Sequence, residues 1–268
     1  MKVKIGIVVF NWNYGVYLGE LLNNMKDIIN SDEYKIIVCD DGSYDNSLAV
    51  LDNYINENNA KNIIICSKNE INKGREKPYL GQLENLKNAY DSRLLDDCQY
   101  IWLMDADDYL LSRDLPKDFY NYYLSGSQVS FTKVINFTKD KQYGLIIKRK
   151  ANETLNIWPT VSVTSSIIMS RDFLAENYSR LFNFDTEFDD VWLDSRVNMI
   201  ASRINNDLVR YINFPIYRRI HGGNDSGKMS LRRRILKQNS SNRYYSYICN
   251  YKKPFNLRTK LLDVFFKS

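Results

Sequence analysis

Four times in its first 108 residues the chain runs through a short apolar segment and stops at a cluster of polar side chains. Ile5–Phe10 stops at Asn11-Trp12-Asn13-Tyr14, and the run 35–39 stops at Asp40-Asp41-Gly42-Ser43. Asn62–Cys66 opens into a polar loop from Ser67 to Tyr79, and Tyr100–Met104 enters Asp105-Ala106-Asp107-Asp108. Between the runs the apolar spacing changes from strand-like to helical. Tyr17, Leu18, Leu21, Leu22, Met25, Ile28 and Ile29 share one face of a helix predicted over 16–29. Leu48, Leu51, Tyr54 and Ile55 follow a cap at Asp45 or Asn46, and Leu83, Leu86, Ala89, Tyr90 and Leu94 mark a third helix. Strands apolar on both faces that alternate with helices predict a mostly parallel sheet between helical layers. Right-handed crossovers put the C-terminal ends of such strands on one edge, where ligands of open α/β sheets bind.

The second half is less regular. Strands are expected at 128–132, 144–148 and 165–169, and a helix over about 188–204. No Pro- or Gly-rich linker interrupts residues 1–220, so one α/β domain over 1–227 is expected, with a nucleotide-binding half (1–110) and an acceptor half (111–227). A basic, aromatic, helical C-terminal extension follows over 228–268, holding 11 Lys or Arg against one acidic residue, Asp263. That excess suits an anionic membrane surface, each basic residue near it contributing roughly 1 kcal/mol. No apolar run reaches the ~20 residues of a membrane span. Cys39, Cys66, Cys98 and Cys249 form no CxxC pair, so a reducing cytoplasm is expected. His221 is the sole histidine, so any metal site must draw mainly on carboxylates.

The edge chemistry excludes two nucleotide-binding classes. Asn11–Tyr14 is not the glycine-rich first turn of a dinucleotide site, and no GxxxxGK[ST] occurs. Two carboxylates after the second strand and three after the fourth can accept hydrogen bonds from ribose and base, or hold Mg²⁺ or Mn²⁺ bridging to a diphosphate. The edge therefore reads as a metal-dependent nucleoside-diphosphate site.

Five segments carry a family resemblance in order: Ile7–Asn11, Val38–Asp45, Tyr100–Asp108, Phe188–Leu193 and Tyr217–His221. Together they resemble a family 2 glycosyltransferase of the GT-A fold, of the bacterial surface-polysaccharide type. The resemblance implies that Phe10 and Asn11 line the base pocket and that Asp41 accepts the uracil N3 proton. It implies ribose contact by Asp105, metal ligation by Asp107, and a general base at Asp190 with Asp189 beside it. His221 would complete the metal sphere or hydrogen-bond a phosphate. Arg218 or Arg219, with Lys73, Arg75 and Lys77 of the third loop, would neutralise phosphate charge. Asp108 is expected to cap a following helix, and Trp158 is a candidate stacking partner for a sugar ring.

The function so implied is inverting, metal-dependent transfer of a sugar from a UDP-sugar to a glycan or lipid-linked glycan hydroxyl, in the cytoplasm at the inner face of the membrane. The competing reading is a non-catalytic module that binds nucleic acid or membrane through its tail. Carboxylates at every expected position argue against it, and no nucleic-acid partner is expected.

Overall fold

The computed structural model describes residues 3–67, 79–138, 141–145, 162–222 and 230–250. The first half follows the alternation: β1 (Val3–Asn11), α1 (Gly15–Asn24), β2 (Tyr34–Asp40), α2 (Ser47–Asn58), β3 (Ile63–Ser67), α3 (Tyr79–Asp91) and β4 (Cys98–Asp105). Then come β5 (Val129–Phe137), β6 (Gln142–Leu145), β7 (Ile167–Ser170), α4 (Arg171–Glu176), α5 (Tyr178–Leu181), α6 (Leu193–Ala201), β8 (Val209–Arg219) and α7 (Leu231–Ile248). One eight-stranded sheet runs in the order β3-β2-β1-β4-β7-β5-β6, with β8 paired to β5. The β1–β2, β1–β4, β2–β3 and β5–β8 pairs are parallel; β7 and β6 pair antiparallel to their neighbours.

Period-2 alternation divides the core between the two faces of the sheet. Ile5, Ile7 and Val9 of β1 pack with Leu18, Leu21 and Leu22 of α1 and Leu51 of α2. Val8 and Phe10 face the other way, toward Leu83 and Leu86 of α3, Val197 and Ile200 of α6, and Tyr244 and Ile248 of α7. Register aligns the strand ends: Asn11 stands beside Asp40, and Phe10 beside Asp105. The polar clusters after β1, β2 and β4 thus meet at one edge.

Three expectations are corrected. The helix expected over 188–204 is only α6, because a 3₁₀ turn at Thr186–Phe188 and an extended Trp192 precede it. Asp189 and Asp190 therefore sit in the connection and do not ride a helix. The sequence reading also missed β8, although Ile212, Phe214 and Ile216 alternate inward. Its Pro215 is accommodated where the β5 register shifts between Thr132 and Lys133. Finally, the described part of the expected extension is no appendage. α7 buries Tyr244, Tyr245, Ile248 and Cys249 in the core. Among the described residues no helix is long and apolar enough to cross a membrane.

Candidate active site

The turn after β2 places two neighbouring carboxylates in different surroundings. Asp40 accepts from the backbone N–H groups of Gly42 and Ser43, from the Ser43 hydroxyl and from Asn11 Nδ2 at 2.7 Å. Gly42 permits this turn because its φ is +76°. Asp40 is thus committed to the loop, whereas neighbouring Asp41 is buried against Gly81 of α3. Asn11 is buried beside it, with Nδ2 donating to Asp40 and Ser43, while its Oδ1 accepts no hydrogen bond among the described residues. Phe10, one residue earlier, is buried as well.

After β4 the carboxylate oxygens of Asp105, Asp107 and Asp108 come within 4.8 Å of one another. Asp105 accepts from Gln82 Nε2 at 2.6 Å, and its backbone N–H donates to Ser165 Oγ at 2.9 Å. Burial, then the charges of Asp108 and Asp107, push the Asp105 carboxyl well above the usual range; Arg218 works in the opposite direction. Burial and Asp107 also raise Asp108. No helix follows Asp108 to be capped. It accepts instead from the Ser165 hydroxyl at 2.7 Å and the Arg219 backbone N–H at 2.9 Å, tying β4 to the 164–166 turn and to the end of β8.

Tyr217-Arg218-Arg219 is the end of β8, and it delivers His221 to the cluster. His221 Nε2 lies 2.9 Å from Asp107 Oδ2, with the ring set against Tyr14 and Tyr17. Arg219 is committed elsewhere: it donates to the Asp107 carbonyl at 3.1 Å, pairs with Glu20 and lies over the Tyr17 and Phe137 rings. Carboxylate oxygens with one imidazole suit a hard, oxygen-seeking divalent cation such as Mg²⁺ or Mn²⁺. The donor set therefore fits such an ion.

Asp190 is half-buried and its Oδ1 accepts from the Tyr79 hydroxyl at 2.7 Å; Asp189 is buried. The loop that carries them is held by Arg196, a fully buried guanidinium. It donates to the carbonyls of Val191, Leu181, Asn183 and Phe188 at 2.6–3.0 Å and lies 5.1 Å from the centre of the Tyr244 ring. A buried charge of this kind is tolerated only when its donors are satisfied.

The first turn of α3 joins these parts. Within four residues, Tyr79 bonds Asp190, Gly81 backs Asp41 and Gln82 bonds Asp105. At 1.5 Å of rise per residue, three carboxylates from distant segments converge on one helix end. Tyr79, Gln82, Ser165 and Arg196 were not singled out for these roles by motif. Lys73, Arg75, Lys77 and Trp158 lie outside the described residues.

Residues 5–172 match the model of glycosyl transferase family 2. The chain belongs to that family. Among solved structures, this family 2 glycosyltransferase is similar to S. aureus TarS 1–349 in complex with UDP-GlcNAc, at 16% identity and a TM-score of 0.62 over 98% of this chain and 71% of that one. It is similar to the mannosyltransferase PcManGT from Pyrobaculum calidifontis in complex with GDP-Man and Mn²⁺, at 14% identity and 0.56 over 99% and 70%. Glucosyl-3-phosphoglycerate synthase from Mycobacterium tuberculosis, in complex with UDP, matches at 12% identity and 0.50 over 91% and 80%. These likenesses give the glycosyltransferase its GT-A fold. No curated protein matches the chain.

Proposed function

We propose that this enzyme transfers a sugar, with inversion, from a UDP-sugar to a hydroxyl of a glycan or lipid-linked glycan acceptor. The observation that carries the reading is the separation of two acidic centres around the start of α3: the Asp105–Asp107–Asp108 cluster closed by His221, and Asp190 on the other segment. An inverting displacement needs such a separation, with leaving-group stabilisation on one side and a base on the other.

In this reading the base stacks beside Phe10, and Asp41 accepts its imide proton while Asn11 offers a second acceptor. Asp105 takes the ribose hydroxyls. Asp107 and His221 would hold a divalent cation, which when bound supplies Lewis-acid stabilisation of the departing diphosphate. Arg218 adds positive charge near the cluster. Asp189 lies beside Asp190 in the same connection. Asp190 removes the acceptor hydroxyl proton as its oxygen bonds to the anomeric carbon. The bond from that carbon to the diphosphate oxygen breaks, and its electron pair leaves with UDP. UDP complexes of TarS and the M. tuberculosis synthase support the uridine donor, and the Mn²⁺ complex of PcManGT supports the ion.

Residues 1–227 carry the nucleotide-binding and acceptor halves in this proposal, at 1–110 and 111–227, with α7 packed into the same core. Lys73 and Arg75 are candidate diphosphate contacts. A role in surface-polysaccharide synthesis at the inner membrane face draws on the basic excess after Lys228.

UDP release from a panel of UDP-sugars with Mn²⁺, in the presence of an acceptor extract, tests the function. Asp107→Asn is expected to abolish metal-dependent release. Asp190→Asn is expected to cut transfer ~100-fold to 10,000-fold while UDP affinity changes only a few-fold, with a smaller effect from Asp189→Asn. Near-normal turnover by Asp107→Asn would refute the metal site, and equal losses at Asp189 and Asp190 would refute the assignment of the base.

A further inference from the structure

A carboxylate base must present one oxygen to the acceptor while the side chain is kept from turning. Asp190 lies in an irregular connection, so helix geometry does not set its orientation. Its fixed point comes from α3: the Tyr79 hydroxyl, 111 residues away in sequence, donates to Oδ1 at 2.7 Å. We propose that Tyr79 is a positioning residue for the general base, holding Oδ1 so that Oδ2 is left for the acceptor hydroxyl; this rests on the reading of Asp190 as that base.

Tyr79 is itself immobilised. Its ring stacks on Trp192 with centroids 5.6 Å apart and planes at 18°, and Arg233 of α7 lies 5.5 Å from its centre. Trp192, two residues after Asp190, is covered by Lys237 Nζ at 3.2 Å from its ring centre. The stack therefore fixes donor and acceptor of the hydrogen bond together, while Arg196 holds the carbonyls of Phe188 and Val191 on either side of the carboxylates. Burial first, then the bond to Asp190, raise the Tyr79 phenol, so it remains a proton donor throughout the working range. Among the described residues, Asp189 and Arg233 act on Tyr79, and Lys237 of α7 acts on Asp190, with Asp194 facing Lys237 in turn.

Tyr79→Phe tests the role, since it removes one hydroxyl and keeps the stacked ring. Transfer is expected to fall about tenfold, the scale of one hydrogen bond to a charged group, with UDP affinity within twofold and the melting temperature nearly unchanged. The loss is expected in kcat, with the KM for the donor within about twofold. In an Asp190→Asn background, followed with radiolabelled donor, the same substitution is expected to cost less than about twofold, since its target is gone. A tenfold loss in both backgrounds, or a loss carried by the donor KM, overturns the positioning role while leaving Asp190 as the base. Wild-type turnover by Asp190→Asn overturns the base itself, and this proposal with it.

Discussion

At the scale of single residues, the site depends on positions where a side chain is missing as well as where one is present. A Cβ added at Gly81 would stand 2.7 Å from Asp41 Oδ2. The α3 backbone is held by its ladder, so the carboxylate would have to swing away. Gly81→Ala is therefore expected to lower UDP affinity about tenfold, as expected for losing a charged hydrogen bond. Its thermal stability should hold, because the group that must give way is the end of one side chain and not backbone. Calorimetric UDP titration beside a melting curve checks both outcomes, and undiminished affinity would mean that Asp41 does not touch the base. Asp41, Asp105, Asp107, Asp190 and His221 stand out in the sequence as candidates because each sits in a short motif at an element boundary. Tyr79, Gln82 and Arg196 do not, since their roles arise only when α3, β4 and the 181–191 segment meet in space.

Individual elements were legible where the chain's local pattern and its tertiary environment agree. β1, β2 and β4 are buried on both faces and read as plain apolar runs, as does the half-exposed edge strand β3, whereas β8 carries Arg210, Arg218 and Arg219 and an internal Pro215 that mask its alternation. The 188–204 helix shortens because Arg196 takes carbonyls from 181–191, stabilising a non-helical approach. Elements are also joined by single groups. The Asp45 carboxylate accepts from the N–H of Gly15 at the start of α1 and of Ser47 at the start of α2, both at 2.9 Å. Burial opposes its ionisation, but the Ser47 and Gly15 hydrogen bonds outweigh it and leave the carboxyl below its usual 3.8. With the folded value below the unfolded one, this stabilisation is present in full above the unfolded value and is lost as pH falls through the folded value. Asp45→Ala is expected to cost about 1 kcal/mol at pH 7, as for other capping side chains. Urea unfolding of both proteins should show that gap narrowing in acid; a gap independent of pH would contradict the assignment.

For the whole molecule, β1 and α7 share one packing unit on the side of the sheet that carries the Phe188–Val191 segment. Charge counting along the sequence portrays 228–268 as a basic arm, yet Arg233 and Lys237 face the rings of Tyr79 and Trp192, and Tyr244 is fully buried. That arrangement was not legible because it depends on contacts between α7 and elements far upstream in the chain. Tyr244 joins them: its hydroxyl donates to the Arg180 carbonyl at 2.8 Å, its ring lies over Arg196 and meets Phe188 edge-on at 5.4 Å. Removing the ring would open a cavity beside a buried guanidinium whose other face is committed to carbonyls. Tyr244→Ala is thus expected to destabilise the fold by about 3–5 kcal/mol, the range for buried aromatic truncations. Tyr244→Phe, which loses only the hydrogen bond, should cost about 1 kcal/mol. At a temperature where Tyr244→Ala remains folded, transfer should fall more than UDP binding, because the loosened Arg196 serves the Asp190 loop and not the base pocket. Chemical denaturation with parallel activity and UDP titrations reads all three quantities, and a Tyr244→Ala cost below about 1 kcal/mol would show that α7 rests on the body without sharing its core.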